Sequence, residues 1–317
     1  MAPASAAALP ARRPSRCPVC APAVPPGEEV VAHGTQRVVR CSGCGLVRLA
    51  EFPAPEAVRE NVSGNYGYHG EIDFTRPWTL AEATRTVAFA NEEASHARLE
   101  RLLSRAGLDI ASRLRVHDVG CSCGFSLYLG RRRGWEMTGN DLSELRRDFG
   151  QRVLGVDVFV GYFSDYPAPA ASLDAVLLRH VLEHLPDPLG ELTLVRERLS
   201  EGGVLVVEVP NFAAPTLKLQ LLRQRLGMRR RGLEFIGVYE PVAEHLWQFT
   251  SRTLAALLGK AGFEVRAVET ASAHSNHSAA VRALLRHSMH RARLGNYLVV
   301  AARRARRPAG APDPQGS

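Results

Sequence analysis

Residues 115–125, reading RVHDVGCSCGF, constrain this chain more than any other stretch. They read as a short strand running into a glycine turn that opens a helix. Gly120 and Gly124 carry no Cβ, so the backbone there can approach a ligand closely. The freed amides at the helix start suit an anionic or carboxylate group. A second strand over residues 135–140 leads to an acid, Asp141, seventeen residues beyond Gly124. A carboxylate at that strand tip of a doubly wound sheet accepts both hydroxyls of a ribose. Loop, spacing and acid together point to a nucleoside-bearing cofactor.

The following chain alternates strands and helices. Residues 125–133 read as a helix, and Ser143 as the N-cap of the next. Residues 156–160 form the third strand and 173–178 the fourth, whose unbroken apolar run predicts cover on both faces. Residues 188–199 are helical, with Leu189, Leu192, Val195 and Leu199 on one side, and Gly202-Gly203 turns the chain into a fifth strand over 204–209. A helix over 253–260 ends at Gly262, before last strands at 263–268 and 297–301. This alternation predicts an α/β fold with a doubly wound, mainly parallel sheet over residues 109–302. An insertion over 211–250 carries Leu217, Leu221, Leu222 and Leu226 on an expected amphipathic helix.

The loop Asp118-Val119-Gly120-Cys121-Ser122-Cys123-Gly124 resembles that of class I S-adenosylmethionine (SAM) methyltransferases, which typically reads D-V-G-C-G-T-G. Ser122 stands where that family usually has its middle glycine. The resemblance runs over residues 114–302 and includes Asp141, HVLEHLPDP at 180–188 and EVPN at 208–211. It implies a seven-stranded sheet with the seventh strand antiparallel beside the fifth. It also implies that Asp118 reaches the amino group of the SAM methionine, and that Asp141 holds the ribose. Gly120, Cys121, Gly124, Leu142 and Arg179 would contact the cofactor, and Tyr162 and Phe163 would wall the adenine. A nicotinamide dehydrogenase is the competing use of such a sheet. Its G-x-G-x-x-G fingerprint is not supplied by this loop.

Ahead of the sheet, Cys17-x-x-Cys20 and Cys41-x-x-Cys44 form two knuckles separated by 20 residues. Such pairs close a tetrahedral four-thiolate zinc site, structural because no coordination position stays open. Two disulfides or four free thiols are the alternatives. Valines 30, 31, 38 and 39 supply two short strands, giving a zinc-ribbon-like module over residues 17–48. Residues 1–16 read as a disordered leader and 303–317 as a disordered basic tail. Residues 49–108 read as a connector followed by one or two helices from about residue 79, closed at Gly107. Tyr66 and Tyr68, on its glycine-flexed part, either form a lid touching substrate or belong to a plain surface loop.

His180, Glu183 and His184 fall at i, i+3 and i+4, so a helix would place them on one face. Three uses stay open. Glu183 and His184 brace the site, with His184 near substrate. His180 acts as a general base. Or the three bind a metal, as their spacing resembles that of metal-binding quinone methyltransferases. Downstream, Glu244-His245-Leu246-Trp247-Gln248-Phe249 resembles a segment of sugar C-methyltransferases that also begin with a four-cysteine module. That resemblance implies substrate-contacting or base roles for Glu244 and His245. The alternative is a hydrogen-bonded pair at the start of the helix before Ser251. Those sugar enzymes carry a sizeable further C-terminal domain, whereas this chain ends soon after its last strand.

The cofactors expected are therefore SAM and structural Zn²⁺, and the expected activity is methyl transfer to carbon or oxygen of a small polar acceptor, a sugar or natural-product intermediate. A zinc-ribbon binding protein with a non-catalytic fold, and a nucleic-acid methyltransferase, are the alternatives. Net charge is +8, yet 38 of 40 basic residues are arginine and no aromatics interleave their clusters, which disfavours nucleic acid as partner. Apolar runs are strand length, so nothing spans a membrane, and a cytoplasmic setting is expected. The oligomeric state is left open.

Overall fold

The computed structural model describes residues 13–20, 27–33, 36–54, 56, 57, 59, 72–225, 244–271 and 295–305. Tyr66, Tyr68, Leu226 and the middle of the insertion lie outside these residues.

The N-terminal module is built from β1 (Arg13–Pro14), β2 (Glu29–His33), β3 (Gln36–Arg40), β4 (Val47–Leu49) and β5 (Glu51–Phe52). Strands β2 and β3 are the two expected from the paired valines, and β4 adds to β3 antiparallel. Arg13–Pro14, within the expected leader, pairs with Glu51–Phe52. From residue 80 on, the described connector carries two helices. The short α1 (Leu80–Ala83) carries a capping box between Thr79 and Glu82, which satisfies two otherwise orphan amides. The long α2 (Val87–Arg105) starts where the Thr86 side chain accepts from the Phe89 amide. Its buried stripe is Ala88, Phe89, Glu92, His96, Leu99, Leu102 and Leu103, the i, i+3, i+4, i+7 pattern of a core-facing helix.

The main sheet follows: β6 (Arg115–Val119), α3 (Phe125–Arg132), β7 (Glu136–Asp141), α4 (Glu144–Phe149), β8 (Phe159–Val160), β9 (Leu173–Arg179), α5 (Pro188–Arg198), β10 (Leu199–Pro210), α6 (Pro215–Arg225), β11 (Trp247–Gln248), α7 (Ser251–Lys260), β12 (Phe263–Ala271) and β13 (Tyr297–Arg304). Seven strands lie in the order β12-β13-β10-β9-β6-β7-β8, and β13 inserts antiparallel between β10 and β12. The expected seven-stranded, mainly parallel α/β sheet is therefore present.

Strand β9 shows why the sheet is central. Val176 and Leu178 enter one core with Leu205, Val207 and Leu254, while Ala175 and Leu177 enter the other with Leu102, Leu127 and Val206. Burial on both faces is what its unbroken apolar run required. In the second core Phe149 meets Phe74 edge-on at 5.4 Å, and Phe89 meets Phe125 at 5.2 Å. Such pairs add roughly 0.5–1.5 kcal/mol beyond area burial.

Some boundaries differ from expectation. The third strand pairs only over Phe159–Val160, because a π-helical turn, Gly150–Leu154, first delivers Val153 and Leu154 into the core. The fifth begins at Leu199 and passes through a register shift before Val204. The last strand runs two residues into the expected tail, since Arg303 donates to the Gly202 carbonyl and Arg304 to that of Leu199. In α6, Leu217 is buried but Leu222 is exposed, so the apolar stripe is narrower than expected.

Candidate functional site

The glycine turn leaves β6 with three left-handed residues, Gly120 (φ +68°), Ser122 (φ +53°) and Gly124 (φ +86°). A Cβ on Gly120 would fall 2.6 Å from Val181 Cγ2, so only glycine lets this turn press against the loop after β9. Ser122 is buried and its hydroxyl has no hydrogen-bond partner among the described residues. An orphaned buried hydroxyl within a close-packed turn fits a loop that receives a polar ligand. The adenosine and methionine ends of SAM are such a ligand.

Asp141 ends β7 as expected and binds this turn. One carboxylate oxygen accepts from the Ser122 amide at 3.0 Å; the other accepts from the Ser143 amide at 3.0 Å and from Arg146 at 3.3 Å. The Ser143 side chain makes no cap bond, so the α4 N-terminus is tied through Asp141. Each carboxylate oxygen has two lone pairs, which leaves room for a ribose hydroxyl. Leu142, beside it, is half-buried. Of the two aromatics expected at the adenine, Phe163 is sealed into the core against His117 and beneath the Arg198 guanidinium. Tyr162 is the exposed one. His117 is fully buried, its Nε2–H donating to the side-chain Oδ1 of Asn140 while Nδ1 accepts from the Thr138 hydroxyl. Burial, set against the Asn140 contact, pulls its pKa down to about 4.

Asp118 is buried and Arg179 nearly so. Arg179 bridges two buried acids, Asp118 at 2.7 Å and Glu92 of α2 at 2.6 Å. Burial raises the Asp118 pKa against the pull of Arg179. Cys121 and Cys123 are buried thiols whose pKa burial pushes up, to about 12 for Cys123. Cys121 therefore supports the turn as a small apolar residue.

Beyond β9 the expected helical face does not form. His180 takes a left-handed conformation (φ +56°), and only a 3-10 turn, Leu182–His184, follows. That strain is held by the His180 amide donating to the Glu208 carbonyl at 2.8 Å. The His180 imidazole lies 3.6 Å from Glu183 and 3.8 Å from the Glu208 carboxylate, edge-on to Tyr297. Desolvation lowers its pKa, but the two carboxylates outweigh it and the net shift is upward. Glu208 is itself paired with Arg98 of α2 at 3.2 Å.

Glu183 is fully buried, and neither carboxylate oxygen has a hydrogen-bond partner among the described residues. Burial pushes its pKa up, yet His180 and the neighbouring His184 and His245 bring it down to about 2. His184 donates from Nδ1 to the Glu244 carbonyl at 2.8 Å, which leaves Nε2 as a lone-pair acceptor, and its ring meets that of His245 at 4.9 Å. Ligand atoms of Glu183, His184 and His245 lie within 4.8 Å of one another. Two imidazoles and a carboxylate so placed can exchange protons with an acceptor or converge on a divalent cation. Glu244 and His245 precede β11 and not a helix start; Thr250 caps α7 instead. The structure thus joins His184 and His245, from two separate readings, around one buried acid.

From the sequence, Glu183 is expected to brace the site or to join His180 and His184 at a metal, while Glu92 and Glu208 are given no role. The readable signal was an acid on an apolar stripe, as at Glu92 between Phe89 and Leu99 of α2.

In the N-terminal module the four cysteine sulfurs lie within 4.8 Å of one another, with Cys17–Cys44 at 3.5 Å and Cys20–Cys41 at 3.7 Å. Disulfide sulfurs would stand about 2.05 Å apart, whereas thiolates about 2.3 Å from a tetrahedral zinc are separated by roughly this span. The amides of Cys44 and Gly43 outweigh burial at Cys41 and lower its pKa to about 7. The donor set fits zinc.

The model of the methyltransferase domain family matches residues 91–268, more than half of the chain. The ubiquinone biosynthesis O-methyltransferase of Cereibacter sphaeroides is 29% identical over 158 residues, covering 48% of this chain and 60% of that protein. The Xanthomonas axonopodis pv. citri protein of the same name is 30% identical over 162 residues, covering 49% and 64%. The chain thus spans less than two thirds of the length of these curated relatives. Magnesium protoporphyrin IX methyltransferase from Synechocystis PCC 6803, solved with bound SAH, has a similar fold at TM-score 0.50 and 17% identity, over 80% of this chain and 100% of that one.

Proposed function

The chain belongs to the methyltransferase domain family and has the class I SAM-dependent methyltransferase fold, and on that premise we propose that it methylates a small polar metabolite at an oxygen or carbon that must lose a proton. Glu183, His184 and His245 gathered beside the glycine turn carry this reading. Ligands of open α/β sheets bind outside the carboxyl ends of the strands, and both the turn and the histidines lie there. SAM supplies an electrophilic methyl group. The backbone of residues 120–124 would cradle its methionine end, Asp141 its ribose, and Tyr162 its adenine edge. His245 takes the acceptor's proton, with His184 and the anionic Glu183 stabilising the imidazolium. The curated relatives are named O-methyltransferases, which supports an oxygen acceptor. A sugar or natural-product intermediate is the acceptor class we infer, in place of nucleic acid, and a structural zinc is held by Cys17, Cys20, Cys41 and Cys44.

The test is production of SAH from SAM with a panel of hydroxylated small molecules. His245→Ala should lose roughly 10²–10⁴-fold in rate while SAM still binds, the usual effect of removing a general base. Full rate across the pH range would remove the proton-transfer role. One observation favours a second reading. The oxygens of Glu183, without a hydrogen bond among the described residues and beside two imidazoles, suit a divalent cation that lowers the acceptor's pKa. Methyl transfer that vanishes on chelation, returns with magnesium or manganese, and needs Glu183 would select it over the base.

A further inference from the structure

The four-cysteine module is tied to the candidate site through the strand that follows His245. Strand β11 leaves the methyltransferase side and adds antiparallel to β4, Trp247 opposite Arg48 and Gln248 opposite Val47, completing the order β11-β4-β3-β2. Val38, Leu46, Val47 and Leu49 of the module enter the same apolar core as Val176, Leu205 and Trp247.

The peptide just ahead of β11 is held on both sides. The Leu246 amide donates to the Glu183 carbonyl at 2.8 Å, and the Leu246 carbonyl accepts from the Leu49 amide at 3.0 Å. On the site side, His184 holds the Glu244 carbonyl and Trp247 Nε1 donates to the Leu185 carbonyl at 2.7 Å. On the module side, the Trp247 ring meets Phe52 of β5 edge-on at 5.0 Å. Residues 244–247 therefore form a splint between the loop after β9 and the ribbon, and His245 is inside it.

We propose that the module is a positioning part of the active site: pairing of β4 with β11 sets the register of His245 against Glu183 and His184, and the metal bound by the cysteines acts on the site through that pairing. A two-residue strand has no stability of its own and takes its shape from its template. A slip of one residue would exchange His245 for Leu246, which is fully buried. The template in turn is too small to hold its strands without its metal, because the binding energy of such a site is folding energy. The catalytic consequence rests on the proposed role of His245; the splint does not.

The full chain is compared before and after zinc removal by a chelator, with hydrogen exchange at residues 244–249 and the ring signals of ¹⁵N-labelled histidines as readouts. Metal removal should speed exchange at Leu246 and Trp247 at least about tenfold, while β6 and β9 amides and SAH affinity hold, as expected of a local opening. The His245 ring signal should move, that of His117 should not, and zinc should restore both readouts. If the stripped chain unfolds throughout, Trp247→Phe in the zinc-loaded protein decides. It keeps a ring against Phe52 but loses the bond to Leu185, and must shift the His245 signal with zinc content and SAH affinity unchanged. Unchanged exchange and an unmoved His245 ring, in the stripped chain or in the variant, overturn the proposal. A chain that binds no zinc overturns its metal link. Full rate in His245→Ala would instead remove the base and leave the splint standing.

Discussion

Ser122 occupies a left-handed conformation and buries a hydroxyl without a hydrogen-bond partner among the described residues. Left-handed backbone costs a non-glycine residue about 1–2 kcal/mol, and an unpaired buried hydroxyl roughly 1–3 kcal/mol more. Glycine removes both terms and returns part of the gain as unfolded-chain entropy, about 0.4–1 kcal/mol. Ser122→Gly should therefore raise the unfolding free energy of the cofactor-free chain by at least about 1 kcal/mol in urea titrations. A loss of stability would show that the hydroxyl is bonded. His117 gives a pH-dependent prediction. Its pKa falls to about 4 in the fold against 6.5 for the free side chain, so the unfolded chain takes up the proton first. This stability is present above pH 6.5 and is lost as pH falls through about 4, on the order of 3 kcal/mol in full. His117→Gln, with no titrating ring, should flatten the acid slope of stability in that window, measured at pH 7 and pH 5. An unchanged slope would assign the acid sensitivity elsewhere.

At the level of elements, α7 follows β11 directly and is started by a capping box in which the Thr250 side chain accepts from the Thr253 amide. Thr250→Ala should cost about 1 kcal/mol, seen as a lower thermal midpoint with SAM affinity unchanged. A drop in SAM affinity would mean that the cap also orders the cofactor loop. The elements legible in the sequence were those whose signal is local: the apolar run of β9, the glycine turn at 120–124, the spaced leucines of α2. Strand β11 was not legible, because two residues carry no periodicity and their partner strand lies at the other end of the sequence. The same reason hid the site. His184 and His245 each stood out in their own motif, but only the folded chain, where the Leu246 amide donates to the Glu183 carbonyl, brings both to Glu183. The link from Asp118 through Arg179 to Glu92 was hidden for a related reason, since Glu92 comes from a helix ahead of the sheet.

Among the described residues the seven-stranded sheet has a core on each face, and the ribbon packs into one of them. No helix among the described residues is long and apolar enough to cross a membrane. Everything proposed for the site assumes that the turn after β6 and the acid at the tip of β7 form a SAM site despite serine in the loop. Calorimetric titration of the full chain with SAM tests this most directly, because it needs no acceptor. Saturable one-site binding is expected, weakened in Asp141→Ala by roughly 1.5–3 kcal/mol, about ten- to a hundredfold, with the fold retained by circular dichroism. Binding unaffected by Asp141→Ala would move the ribose contact elsewhere, and no detectable heat in the native chain would contradict the SAM site itself.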